Sequence, residues 1–320
     1  MGDSLRSSRW PSKGRLVRWA GTLVSSGLFI WLISRQNWAK TWESLVSSPV
    51  WLLPLVLLLY FSGMLINTLR WNLLLRAQEI EVPLVETLKI VITGAFASNF
   101  LPSTIGGDSV RIVSLLRFNA AWSVSVASVV LDRFLNVLAT LTLLPFSLVA
   151  FGSPAALWQN LTATGYPGPL VLSTSLAAGR VERWTAKLIH AFRRLLEVVG
   201  IWLDRPAILL LAFVLSWLSS FIVFFAVWTL ARGLGMPVAL YQVLGVMALT
   251  YLLSMLPVSI NGLGLREVAV TTLYMQLGAT LEQASTLAVV TRFMLLLEAL
   301  PGALWLSQLV PAGDQIKKPT

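Results

Sequence analysis

Apolar stretches of helix length recur along the chain, divided by short polar or proline- and glycine-marked breaks. The first runs over about 19–34, and Trp38 to Val46 reads as a short amphipathic piece suited to the membrane interface. Further helices are predicted over about 50–71, 84–101 after Pro83, 122–150, 206–231, 239–256 and 284–309, with a helical piece ending at Leu116. Several of these reach the roughly 20 apolar residues that cross a bilayer, and Trp51 and Trp71 read as interfacial belts of the second helix. Residues 152–178 break the pattern: Pro154, Pro167, Gly168 and Pro169 interrupt a stretch thin in large apolar side chains. From Arg180 to Arg205, Trp184, Leu188, Phe192, Leu195, Val199 and Leu203 recur at helical spacing with arginines and lysine between them. That is a cationic amphipathic linker helix, attracted to anionic lipid heads. The expected fold class is an all-α integral membrane protein, a polytopic bundle of about 7–8 spans.

Composition agrees with the pattern. Hydrophobic residues make up 56% and charged residues 12% of 320, too little charge to cover a soluble domain of this length. With no cysteine, disulfides and thiolate metal sites are excluded. The single histidine, His190, lies in a polar segment and does not point to a histidine metal centre or a membrane-embedded histidine phosphatase, and no cofactor is expected. The net charge of +10 does not point to nucleic acid, because the basic residues cluster at the ends of apolar runs. That placement orients membrane proteins. Arg6, Arg9, Lys13, Arg15 and Arg18 make residues 1–18 a basic segment before the first helix, and no small-residue cleavage site follows it. The expectation is a retained helix, a cytoplasmic N-terminus and a multi-pass protein of the inner (plasma) membrane. Residues 311–320 read as a polar tail with Lys317 and Lys318.

One polar break has a second copy. "LPSTIGGDSVR" at 101–111 aligns with "LPVSINGLGLR" at 256–266, sharing L-P-x-x-I-x-G-x-x-[VL]-R. Pro83 and Pro237 precede the two motifs, and "VLDRF" at 130–134 answers "VVTRF" at 289–293. The chain therefore holds two repeats, about 50–150 and about 206–310. Paired helix breaks at matching places point to a transport site between halves, since lipid does not tolerate unsatisfied backbone groups. Each break is expected to be a re-entrant or half-helix segment whose N-terminus faces the centre. If 152–178 does not cross, an odd number of spans separates the repeats and they are inverted, with 180–205 on the side of the N-terminus. The preference for basic segments inside favours that arrangement.

Such a tip favours anions, because a helix N-terminus carries bare N–H groups and a partial positive charge. The candidate substrate-binding residues are Gly106, Gly107, Asp108 and Arg111 in the first half, and Asn261, Gly262, Gly264, Arg266 and Glu267 in the second. Arg133 and Arg292 join them from within spans, where an arginine costs at least about 2.5–3.5 kcal/mol. No catalytic residue is assigned. An alternative reading makes Asp108, Asp132, Glu267 and Glu298 structural counter-ions of these arginines. Against it, the arginines recur in both halves, whereas Asp108 aligns with Leu263 and Asp132 with Thr291. Gly94, Ala95, Ala97 and Ser98 form a small-residue face for close helix packing. Asn67 and Asn72 are further site candidates, with interfacial hydrogen bonding as their ordinary role.

"NFLPSTIGGDSVRIVSLLR", "VLDRF", "SINGLGLRE" and "TRFMLLLEALPG" together resemble the lysylphosphatidylglycerol synthase transmembrane family, over roughly 15–310. That family includes the membrane flippase half of the bacterial multiple peptide resistance factor. The resemblance implies a protein that moves a membrane lipid, anionic or polyprenyl-linked, or assists a lipid-modifying synthase as an accessory subunit. In the two-domain relatives a soluble domain makes the aminoacyl lipid; a chain ending at Thr320 is expected not to do so alone. A membrane-embedded transferase is a third reading, with Asp108, Asp132 and Glu267 as bases, but no dense acidic cluster supports it.

Overall fold

The computed structural model describes residues 49–100, 106–152, 204–255 and 264–309, together with Ser34, Trp38, Ala39, Trp42, Val46 and Trp202. Ten α-helices are defined among them: α1 Leu52–Arg76, α2 Leu84–Phe100, α3 Gly106–Leu115, α4 Trp122–Leu141, α5 Pro145–Phe151, α6 Pro206–Gly233, α7 Leu240–Ser254, α8 Leu265–Gln276, α9 Leu281–Ala299 and α10 Ala303–Leu309. The first predicted helix, most of 152–178, nearly all of 180–205 and the tail lie outside the described residues. Trp38, Trp42 and Val46, four residues apart, are helical and exposed, the stripe expected of an interfacial piece.

Among the described residues, four stretches are long and apolar enough to cross a membrane: α1, α4 with α5, α6, and α9 with α10. The 25 residues of α1 make about 37 Å, more than the roughly 30 Å hydrocarbon core. Its exposed face carries Leu58, Leu65 and Leu69, and that of α6 carries Leu210, Leu211, Val214 and Trp217, surfaces suited to lipid. By contrast α3 and α8, with 10 and 12 residues, extend only about half the core thickness. Each starts at the glycine-rich motif that predicted it, α3 at Gly106 and α8 just after Gly264.

The order long helix, shorter helix, half-length helix, broken long helix occurs twice. The predicted span over 122–150 is broken at Thr142–Leu144 before Pro145, and the last span at Leu300–Gly302 around Pro301. Proline lacks the N–H that would continue each ladder. Packing is reciprocal between halves: α2 lies on α3 as α7 lies on α8, and α2 meets Leu300–Gly302 and α10 as α7 meets α5. Gly245 brings α7 against the backbone of Phe146 and Ser147, and Gly302 sits against Ile92.

The equivalent helices α1 and α6 form the largest contact and run antiparallel. Leu52 packs on Gly233, Ser219 donates to the Gly63 carbonyl at 3.1 Å, and Arg70 Nη1 donates to Ser216 Oγ at 2.9 Å. Close approach needs small residues; a Cβ on Gly63 would stand 2.7 Å from Val223 Cγ2.

Trp71 corrects the expectation of an interfacial belt. Its ring is fully buried with Leu75, Ile90 and Leu115, and its Nε1 donates to Ser128 Oγ at 3.4 Å. Trp51 is 59% exposed, as a belt residue should be. Asn72 is also internal: its amide donates to the Val82 carbonyl and Thr87 Oγ1, each at 2.8 Å, and ties the α1–α2 turn.

Candidate functional site: a polar cavity between the two repeats

In the first half the charges close on one another. Asp132, on the inner face of α4, accepts from Arg70 Nε at 2.8 Å through one oxygen and from Arg111 Nη2 at 3.0 Å through the other. Side-chain exposures of 4% for Arg70, 5% for Asp132 and 14% for Arg111 put the trio out of reach of solvent screening. The Arg111 guanidinium lies 4.0 Å above the centre of the Trp71 ring, a cation–π contact that offsets part of its desolvation. Arg133 pairs with Asp108 at 2.8 Å, but this second pair is open, with 47% and 22% of the two side chains exposed. Asp108 and Asp132 are each ion-paired with arginine.

Gly106 opens α3, and Gly107 is a packing residue. A Cβ at Gly107 would collide with Ser98 Oγ and the Gly94 carbonyl, so α2 and α3 meet almost backbone to backbone. The small-residue face read from Gly94 and Ser98 is this contact.

The second half is arranged differently. Gly264 caps α8 with φ +80°, a conformation that only glycine adopts freely, and its N–H donates to Glu267 Oε2 at 2.6 Å. Glu267 is fully buried, and its other oxygen stands 3.8 Å from Arg292 Nε. It is thus both the cap of the half-helix and a neighbour of Arg292. Asn261 and Gly262 lie outside the described residues. Arg266 has no ion pair with any described residue, and its Nη1 is buried without a hydrogen-bond partner among them. Thr291 stands where the first half has Asp132, so the carboxylate that holds Arg111 has no equivalent for Arg266.

Arg266 and Arg292 line a cavity of about 350 Å³. Both halves build it: Tyr60 and Asn67 come from α1, Asn99 from α2, Asn136 from α4, Ser219 and Ser220 from α6, and Tyr251 from α7. The Tyr60 hydroxyl lies near Arg266. Glu298 of α9 completes the charged lining, and Met64, Val91, Val223 and Leu295 supply apolar wall. Asn136 ties the cavity to the first-half trio, accepting from Arg70 Nη1 at 3.3 Å and donating to the Tyr251 hydroxyl at 2.7 Å.

Of the predicted site residues, Arg266 and Arg292 thus face the cavity, and Glu267 supports them. Arg111, Arg133 and Asp108 are engaged in ion pairs away from its lining. Arg70, Tyr60, Asn136 and Tyr251 were not among the predicted residues. Arg70 carried a usable signal, an arginine within an apolar run, which in a membrane protein marks a buried polar partner. Among the described residues no group of acidic or histidine side chains is placed to hold a metal ion.

The family that the motifs resemble is borne out by comparison with known proteins. The sequence profile described as the lysylphosphatidylglycerol synthase TM region matches residues 18–302. The chain belongs to this family. It is also similar to a UPF0104 membrane protein of Pyrococcus horikoshii, 28% identical over 115 residues. That match covers 35% of this chain and 33% of the relative, about a third of each. No solved structure matches the chain.

Proposed function

We propose that this family member is a lipid-head-group transporter, or flippase, that receives an anionic head group in the cavity between its repeats. The observation that carries the reading is Arg266. It is a half-buried arginine on a half-helix tip, with its Nη1 buried and no acid partner among the described residues, facing a cavity built by both halves. Arg292 lines the same cavity as a second cation, with Glu267 Oε1 3.8 Å from its Nε. A cavity of about 350 Å³ is at the small end of ligand sites and suits a phosphate-bearing head group while acyl chains stay in the bilayer. Its mixed polar and apolar lining supports the same division.

The antiparallel pairing of α1 with α6 supports inverted repeats, with α2–α3 and α7–α8 as re-entrant hairpins. Alternating access then consists of rocking one repeat against the other about the α1–α6 contact. Residence in the inner membrane with a cytoplasmic N-terminus, and the gathering of anionic lipid by the basic 180–205 segment, belong to the same proposal. So does association with a lipid-modifying synthase as supplier or consumer of the cargo.

The test uses proteoliposomes carrying fluorescent phosphatidylglycerol, with translocation read by the fraction quenched from outside. A charge-assisted hydrogen bond is worth about 1.5–3 kcal/mol, so R266Q and R292Q are each expected to slow translocation roughly tenfold to hundredfold. Wild-type rates in both folded variants would remove the site assignment.

A further inference from the structure

Glu298 is the one charged group of the cavity that the transport reading leaves without a task. It lies on α9, is 8% exposed, lines the cavity, and forms no ion pair with any described residue. A carboxylate inside a membrane bundle with no partner is costly and in such proteins commonly marks a path for protons or cations. Resting on the reading above, we propose that Glu298 carries a proton that travels with the anionic head group.

The argument is one of local charge. Around the second half-helix stand Arg266 and Glu267 on α8, and Arg292 and Glu298 on α9. With Glu298 ionised these four groups balance. With Glu298 protonated they leave one positive charge, which a monoanionic head group neutralises. Two balanced states follow, empty with Glu298 ionised and loaded with Glu298 protonated, and a neutral set is far cheaper to carry through a low-dielectric interior than a charged one. Binding of the anion and of the proton then strengthen each other, necessarily by the same factor in both directions.

The groups facing the cavity from other elements leave that difference intact. The α1 helix contributes Tyr60, whose hydroxyl lies near Arg266, and α7 contributes Tyr251, which accepts from Asn136. The α2 and α6 linings, Asn99 with Ser219 and Ser220, hold no titrating side chain. Behind Asn136, Arg70 and Arg111 share Asp132, a trio whose single surplus charge is the same in both states.

The experiment measures proton uptake on ligand binding in detergent solution with little buffer, using dihexanoylphosphatidylglycerol as the probe. The wild-type protein is expected to take up close to one proton per lipid bound, and E298Q to bind the lipid with at least tenfold less uptake. E298D, which keeps the carboxylate, is expected to retain uptake and serves as the readout should E298Q fail to fold. Binding without uptake in the wild type, or equal uptake in E298Q, would overturn the proton assignment and leave the transport reading standing. Failure of the wild type to bind or move phosphatidylglycerol would overturn the transport reading and this one with it.

Discussion

Replacing Asp132 by alanine isolates the first-half trio from the cavity. The carboxylate receives two guanidiniums at 2.8 and 3.0 Å, all three side chains being at least 86% covered. At an effective dielectric of about 20, each contact near 3 Å has a gross attraction of about 5–6 kcal/mol. Most of that offsets desolvation, but the desolvation of the arginines remains when the acid is removed. Breaking a buried pair by deleting one partner costs about 3–5 kcal/mol, and D132A is expected to fall in that range or above it, since two cations lose one partner. D132N keeps an acceptor oxygen and is expected to cost less, about 2–3 kcal/mol. The assay is reversible unfolding in mixed micelles with rising dodecyl sulfate, followed by tryptophan fluorescence. The chain has 14 tryptophans and no cysteine for thiol dyes. The double mutant D132A/R111Q should be less damaged than the sum of its parts by about 0.5–3 kcal/mol. A loss below about 1 kcal/mol for D132A, or strict additivity in the cycle, would refute the description of Asp132 as the shared counter-ion.

Two further substitutions test the division of labour between the tips. Gly107→Ala pushes a methyl into Ser98 and the Gly94 carbonyl, and is expected to cost about 1–3 kcal/mol in the same unfolding assay. Tolerance equal to wild type would mean that α2 and α3 are not in backbone contact. Thr291→Asp places a carboxylate where the first half has Asp132, and should pair with Arg266 and abolish phosphatidylglycerol translocation in a protein that still elutes as a folded species; undiminished transport would sink the equivalence.

The order of elements and the start of each half-length helix were legible because proline, glycine and a lone arginine are conspicuous in apolar sequence. Gly106 and Gly264 lie where the motif puts them, at the first turns of α3 and α8. The ion-pair map was not legible. Arg111 and Asp132 are 21 residues apart, and Arg70 and Asp132 are 62 apart, so only helix packing brings them together. Spacing alone suggests Asp108 with Arg111, three residues away on one helix. The structure instead sends Asp108 across to Arg133 on α4. Trp71 misled for a related reason, since an aromatic residue near a predicted helix end reads as an interfacial anchor. Because α1 continues to Arg76, Trp71 falls inside the span and under Arg111.

The two tips share a sequence motif, and the differences between them carry the functional argument. In each half an arginine from the fourth element reaches an acid on the half-helix: Arg133 meets Asp108, and Arg292 lies near Glu267. The acid has moved by one helical turn between copies, from the position aligned with Leu263 to that aligned with Ile112, so the contact recurs although the aligned residues do not. The absence of aligned acids is thus weaker evidence against structural pairing than it looks in sequence. What differs in kind is the second contact, in which Asp132 closes on Arg111 while Thr291 offers Arg266 no charge. If both arginines served only the fold, the loss of the acid in contact would leave Arg266 partly desolvated, with Glu298 across the cavity to balance its charge but no carboxylate among the described residues paired with it. On the proposed function, an anionic head group in the cavity beside Arg266 would bring the negative charge that Thr291 does not supply.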